Sequence, residues 1–259
     1  MKLTIQLPYH ADCYTVETEC QDIMDTLRRT YGMYCRLDTQ TDTGAYHITQ
    51  MDNGYYITYD GHTIPTDNPV QYLHNEMFLK KKITPGIFAL HAGGVSHDDK
   101  AYIFCAPTTT GKTTLTAYLA ERNMEYISDD CVFINMNDLS VYPCHTPIHL
   151  REGGYTVLQE HGLVPHPIEK ADERYVYTPK KLSPLRMEIG KILFLTRTLD
   201  TNEIKPLGKA EALRQLMVSP ITVYPITREY LVFLNRLIPY CCEVKYCDME
   251  FVLEQIGVK

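Results

Sequence analysis

The sequence predicts an α/β protein with a mixed sheet, divided into a small N-terminal α+β lobe over residues 1–85 and a larger domain over residues 86–259. Three observations carry that expectation. From Ile87 onward, short apolar runs of strand length alternate with segments of helical periodicity. One of these runs leads through a Thr- and Gly-bearing loop into a helix, in the order strand, loop, helix. The residues before 85 read instead as alternating strands around two short helices.

In the lobe, "KLTIQL" alternates as a strand does. "CQDIMDTLRRTYG" sets Ile23, Leu27 and Tyr31 on one helical face, and Gly32 is expected to end that helix. "AYHITQMDNGYYITYDG" is two alternating runs around Asp52-Asn53-Gly54, a hairpin turn. Pro69 suits the first turn of a helix over "PVQYLHNEMFLKKK", which Thr84-Pro85-Gly86 closes. The Lys80-Lys81-Lys82 run fits the cationic end of that helix, and steering of an anion is the alternative.

In the larger domain, "GIFALHAGGV" and "KAYIFCAP" predict a hairpin of two buried strands across "SHDDK". A helix is expected from Lys112 to Glu121, followed by one strand, "EYISDDCVFIN". "LSVYPC" and "PIHLR" read as further strands, and "KILFLTR" as a buried one. "GKAEALRQLMV" and "TREYLVFLNRLI" have helical periodicity, "CCEVKYC" is a last strand and "MEFVLEQI" a closing helix.

Hydrophobic residues make up 44% and charged residues 22%, a balance that builds a core rather than a disordered chain. The net charge of -7 argues against a general nucleic-acid surface. No apolar run has the ~18 residues a membrane-spanning helix needs, so no membrane partner is expected. "MKLTIQLPYHADCY" has too short an apolar run for a signal peptide. Nine cysteines, an odd number at irregular spacing, suit reduced thiols and a cytoplasmic protein.

The stretch "CAPTTTGKTT" carries the chemistry. The pattern G-x-x-x-x-G-K-[ST] maps onto Ala106, Pro107, Thr108, Thr109, Thr110, Gly111, Lys112 and Thr113, with Ala106 in place of the first Gly. Such a loop, closing into a helix N-terminus, wraps backbone N–H groups around a phosphate. Lys112 would reach the β- and γ-phosphates of ATP, Thr113 would offer its hydroxyl to Mg²⁺, and Thr114 continues the cradle. Pro107 pushes Ala106 toward an extended backbone, so the loop entry departs from the usual shape. An ordinary helix start with a threonine cap is the plainer alternative.

Asp129 and Asp130 follow the next apolar run. Two adjacent carboxylates are costly to bury unless a metal or a proton sits between them. One would hold Mg²⁺ and the other accept a proton from an incoming hydroxyl. A solvated pair in a turn is the alternative. His91 lies between apolar residues before the loop, where a core histidine is the plainer reading. Cys144, His145 and His149 lie close in sequence, but zinc would need a further ligand, from His161 or His166.

Taken together, "LHAGGV" and "AYIFCAPTTTGKTTLTAYLAERNMEYISDDCVFIN" resemble the catalytic domain of HPr kinase/phosphorylase. They are more similar to the smaller HPr-kinase-related proteins, which carry a strand His-Ala, an Ala-Pro loop and an acidic pair. The resemblance runs from Phe88 to Leu158, extends toward Ser219, and is absent before residue 85. It implies a P-loop kinase core of the HPr kinase C-terminal-domain type over residues 86–259, with ATP and Mg²⁺ as cofactors. The reaction implied is phosphoryl transfer to a hydroxyl of a small molecule or a short peptide or protein serine. By the same resemblance Asp129 would be the base, Asp130 and Thr113 the magnesium ligands, His91 the neighbour of the base and Arg151 a phosphate or acceptor contact; the order of the two Asp roles stays open. Members of that family are often oligomers, which leaves a homo-oligomer open. The loop here is Thr-rich and "REGGYTVL" is not the family's Glu-rich signature, so HPr itself is not implied as the acceptor. Two other readings remain: an inactive nucleotide-binding regulatory module, and a partner-binding chaperone built on the Tyr-rich lobe.

Overall fold

A computed structural model describes residues 1–6, 13–36, 45–52, 54–76, 86–107, 110–171 and 173–257. The chain is a mixed α/β protein with several sheets and, among the described residues, seven α-helices. It divides into two compact units, Met1–Pro85 and Gly86–Lys259.

The first unit contains β1 (Lys2–Gln6), β2 (Cys13–Thr18), α1 (Gln21–Tyr31), β3 (Cys35–Arg36), β4 (Ala45–Met51), β5 (Gly54–Tyr59), β6 (His62–Thr66) and α2 (Pro69–His74). Its six strands form one sheet in the order β3-β1-β2-β4-β5-β6. Only the β2–β4 pair is parallel. Helix α1 buries Ile23, Met24, Leu27 and Tyr31, the face its periodicity sets apart. Gly32 does not end it as a left-handed cap. Its φ is -53°, and the chain tightens there into a 3-10 turn, Gly32–Tyr34. Helix α2 starts where expected, with Pro69 in its first turn and the Asn68 side chain accepting from the Gln71 N–H at 2.9 Å. Asn53 of the hairpin turn, the Lys80–Lys82 run and Thr84-Pro85 lie outside the described residues.

The second unit contains β7 (Ile87–His91), β8 (Gly93–His97), β9 (Lys100–Cys105), α3 (Lys112–Glu121), β10 (Glu125–Ser128), β11 (Cys131–Asn135), β12 (Val141–Tyr142), β13 (Ile148–Leu150), α4 (Glu152–Glu160), β14 (Glu169–Ala171), β15 (Arg174–Tyr177), β16 (Glu188–Arg197), β17 (Glu203–Pro206), α5 (Lys209–Val218), α6 (Arg228–Leu237), β18 (Cys241–Tyr246) and α7 (Met249–Gln255). Its main sheet has the order β10-β8-β9-β16-β18-β17, and two three-stranded sheets, β12-β11-β7 and β13-β15-β14, accompany it. Strands β9, β16 and β18 are mutually parallel, so their carboxyl ends share one edge.

Alternation along those strands builds two cores. Ile103, Cys105, Ile192 and Phe194 pack with Ala212, Leu216, Phe233 and Leu234 of α5 and α6. Tyr102, Phe104, Leu193 and Leu195 pack with Leu115, Tyr118 and Leu119 of α3 and Val252 of α7.

Two strand expectations are corrected. Only the second part of "GIFALHAGGV", β8, forms the expected antiparallel hairpin with β9 across "SHDDK". The run breaks at Ala92, with β7 in one sheet and β8 in another. "EYISDDCVFIN" breaks in the same way at Asp129-Asp130. The two breaks are in register. His91 faces Cys131 below them, Gly94 faces Ser128 above them, and the Ala92 N–H donates to the Asp130 carbonyl at 3.2 Å. Two antiparallel pairs part from one another at this crease, so both Asp residues occupy a turn. The Ser128 hydroxyl closes that turn, accepting from the N–H groups of Asp130 (3.3 Å) and Cys131 (2.9 Å). Helix α4 and strands β14, β15 and β17 were not expected. Gly153-Gly154 lowers the helical signal of "EGGYTVLQE".

Candidate phosphate-handling site

The loop after β9 enters α3 through Gly111, whose φ of 92° and ψ of 13° are left-handed, a conformation glycine adopts without a Cβ penalty. No side chain caps α3, so the N–H groups of its first turn are left to a ligand or to water. An anion at this end is favoured by those donors and by the helix dipole. Thr110 turns inward, its hydroxyl donating to the Pro107 carbonyl at 2.8 Å. Ala106 is half-buried against the α3–α7 core and Pro107 is exposed. Thr108 and Thr109 lie outside the described residues.

Helix α3 is buried on most of its surface, which draws Lys112 inside: it is 7% exposed. Among the described residues its ammonium has no hydrogen-bond partner. Burial pushes its pKa down, opposed first by the charge of Asp130 and then by that of Asp129. Close packing sets its position. A Cβ on Gly93 would run into the Thr116 hydroxyl and stand 3.4 Å from Cγ of Lys112. The Thr116 hydroxyl is itself buried and, among the described residues, unpartnered. The Thr114 side chain points at α4, where a Cβ on Gly154 would approach its hydroxyl to 2.7 Å.

Asp129 is 5% exposed, and among the described residues its Oδ1 has no hydrogen-bond partner. Burial raises its pKa to about 7, helped by the charge of Asp130. The Thr113 hydroxyl, the Lys112 charge and the His149 N–H oppose that rise, donating to or attracting the carboxylate. Asp130 is exposed. His91 stands at the end of β7 with Nδ1 3.2 Å from the Asp130 carbonyl. Desolvation lowers its pKa, Lys112 lowers it further, and Asp130 opposes both.

Lys112, Thr113, Asp129, Asp130 and His91 are therefore gathered in one place. A buried ammonium and a buried carboxylate oxygen, each without a partner among the described residues, fit a site for a phosphate and a divalent cation. Mg²⁺ would be held by Thr113 and a carboxylate of the pair. Arg151 is placed differently. It sits at the exposed start of α4, and among the described residues its side chain makes no ion pair or hydrogen bond.

The Cys144, His145 and His149 grouping is not assembled. His145 is 2% exposed and its Nε2 lies 2.9 Å from the Ser183 hydroxyl. No cluster of three or more metal-ligating side chains occurs among the described residues. His149 instead joins the carboxylate pair. Desolvation lowers its pKa, with Asp130 opposing and Arg174 assisting. Arg197 and Tyr246 also escaped the sequence reading. A Cβ on Gly111 would lie 3.5 Å from the Tyr246 hydroxyl and 3.8 Å from Nη1 of Arg197. A polar residue ending an apolar strand beside the loop strand was the available signal.

No family model matches the chain, and no curated protein matches it. Among solved structures it is similar to the Hpr(Ser) kinase/phosphatase from Coxiella burnetii, at a TM-score of 0.32 and 11% identity, over 65% of this chain and 91% of that one. No helix is long and apolar enough to cross a membrane among the described residues.

Proposed function

We propose that the second unit is a kinase that transfers the γ-phosphoryl group of ATP to a hydroxyl of a small molecule or a short peptide. The observation that carries this reading is the pair of buried atoms, Lys112 Nζ and Asp129 Oδ1, without hydrogen-bond partners among the described residues, beside an uncapped helix start. Each is costly to bury alone. A phosphate bound at α3 relieves the first, and a divalent cation relieves the second.

The two carboxylates divide the work. Thr113 donates to Asp129, so these two residues stand together where they would hold the magnesium ion. This is the reverse of the order the family resemblance implies. Magnesium, when bound, neutralises charge on the β- and γ-phosphate oxygens. Exposed Asp130, beside His91 and His149, takes the proton of the acceptor hydroxyl. The acceptor oxygen then forms its bond to the γ-phosphorus as the bond to the β-γ bridging oxygen breaks. ADP leaves with that electron pair, and Lys112 stabilises the charge as it moves.

Labelled ATP and Mg²⁺ with a pool of hydroxy metabolites and short peptides tests the proposal. The expected result is a labelled product lost in both Lys112→Ala and Asp130→Asn, with Asp130→Asn still binding Mg·ATP. Binding without any product would favour the regulatory module. Neither binding nor product would sink the reading.

A further inference from the structure

The main sheet gives the site two sides. Asp129 and Asp130 follow β10, two strands from β9 in the order β10-β8-β9-β16-β18-β17. Arg197 ends β16, the neighbour of β9 on the opposite side, and Tyr246 ends β18, the next strand out. Adjacent strands stand about 4.8 Å apart. The carboxylates therefore lie about two strand spacings to one side of the loop strand, and Arg197 about one spacing to the other. Arg197 and Tyr246 are register partners, and the parallel run of β9, β16 and β18 brings their ends to the edge that carries the loop. Ligands of such sheets bind outside the carboxyl ends of the strands.

The Arg197 charge opposes the rise that burial gives the Tyr246 pKa, and no salt bridge anchors the guanidinium among the described residues. Arg197 is exposed, and among the described residues it makes no hydrogen bond. Its Nη1 would lie 3.8 Å from a Cβ on Gly111, ordinary contact distance, so the guanidinium stands beside the loop where Gly111 turns the chain into α3. Tyr246, 2% exposed, packs in the core below with its hydroxyl toward the same glycine.

We infer that Arg197 holds the nucleoside end of the donor by pairing with its α-phosphate, so that the site takes a nucleoside triphosphate in preference to an inorganic polyphosphate. The inference rests on the kinase reading. A γ-phosphate directed at Asp129 and Asp130 leaves the α-phosphate on the β16 side of the loop. A planar guanidinium suits a phosphate there, and an exposed arginine reaches it without burying a second unpaired cation beside Lys112.

The test is equilibrium binding of Mg·ATP and of magnesium pyrophosphate to the full chain and to Arg197→Gln, Arg197→Lys and Lys112→Ala. Pyrophosphate occupies the loop but has no α-phosphate beside a nucleoside. Arg197→Gln is expected to weaken Mg·ATP by about 10- to 100-fold, the worth of a charge-assisted contact. Pyrophosphate should change by less than about twofold, and Arg197→Lys, which keeps the charge but not the planar fork, should recover only part of the ATP affinity. Lys112→Ala should weaken both ligands. Unchanged ATP binding in Arg197→Gln overturns the inference, as does equal weakening of the two ligands, which would put Arg197 on the transferred phosphate. If Lys112→Ala weakens both while Arg197→Gln weakens neither, only the inference fails. If the unmodified chain binds neither ligand, the kinase reading falls with it.

Discussion

At pH 8 the Asp129 carboxyl must ionise in a place that favours its neutral form. An unfolded aspartate titrates near 4, whereas burial and Asp130 bring this one to about 7. Between those values the folded chain holds a proton that the unfolded chain has released. The stability this contributes is full below pH 4 and is lost as the pH rises through 7. Asp129→Asn removes the charge but keeps an oxygen that accepts from Thr113 and the His149 N–H. We expect the metal-free variant to be more stable than the parent at pH 8 by about 2–4 kcal/mol, with the gain absent at pH 4. Denaturant unfolding at the two pH values measures it, and an unchanged or lower stability at pH 8 would contradict it. Mg²⁺ with ATP should raise the parent's melting temperature more at pH 8 than at pH 5.5, because the cation needs the ionised carboxylate. In Asp129→Asn that increment should shrink at both values.

Helix α3 and strand β8 meet through a missing side chain. Gly93 has no Cβ, and the Thr116 hydroxyl and the Lys112 stem fill its place. Gly93→Ala is expected to cost about 1–3 kcal/mol by overpacking and to weaken phosphate binding by displacing Lys112. The obstructing atom is the Thr116 oxygen, which has no partner to lose among the described residues. Adding Thr116→Ala should therefore restore at least half of the stability, as chemical unfolding of the double variant would show. No recovery would mean that the backbone, not the hydroxyl, resists. Helix α3 was legible in the sequence from Lys112 to Glu121 because loop, glycine and periodicity all point the same way. The sheet changes at Ala92 and at Asp129-Asp130 were not, because an apolar run looks the same whether one sheet or two receive it. Lys112, Thr113 and the Asp pair were readable from local spacing. Arg197 and Tyr246 lie about 85 and 135 residues beyond the loop, and only the parallel pairing of β9, β16 and β18 brings them back to it.

Both hydrophobic clusters of the larger unit are built wholly from residues between Phe88 and Ile256. A chain of residues 86–259 is thus expected to fold alone with one cooperative unfolding transition. It should bind Mg·ATP within about threefold of the full chain, a difference of under ~1 kcal/mol. Calorimetry on the shortened chain tests both, and loss of binding would show that the site needs the first unit. The sheet β13-β15-β14 pairs with neither of the other two in this unit. It reaches Asp129 through the main-chain N–H of His149, and the Tyr177 phenol of β15 also senses that carboxylate. Any residue but proline at position 149 supplies that donor. Lineages that diverge from this one are therefore free to exchange the side chains at 174 and 176, and to explore new acceptors, so long as the main-chain donor to Asp129 and the His149 ring beside Asp130 are kept.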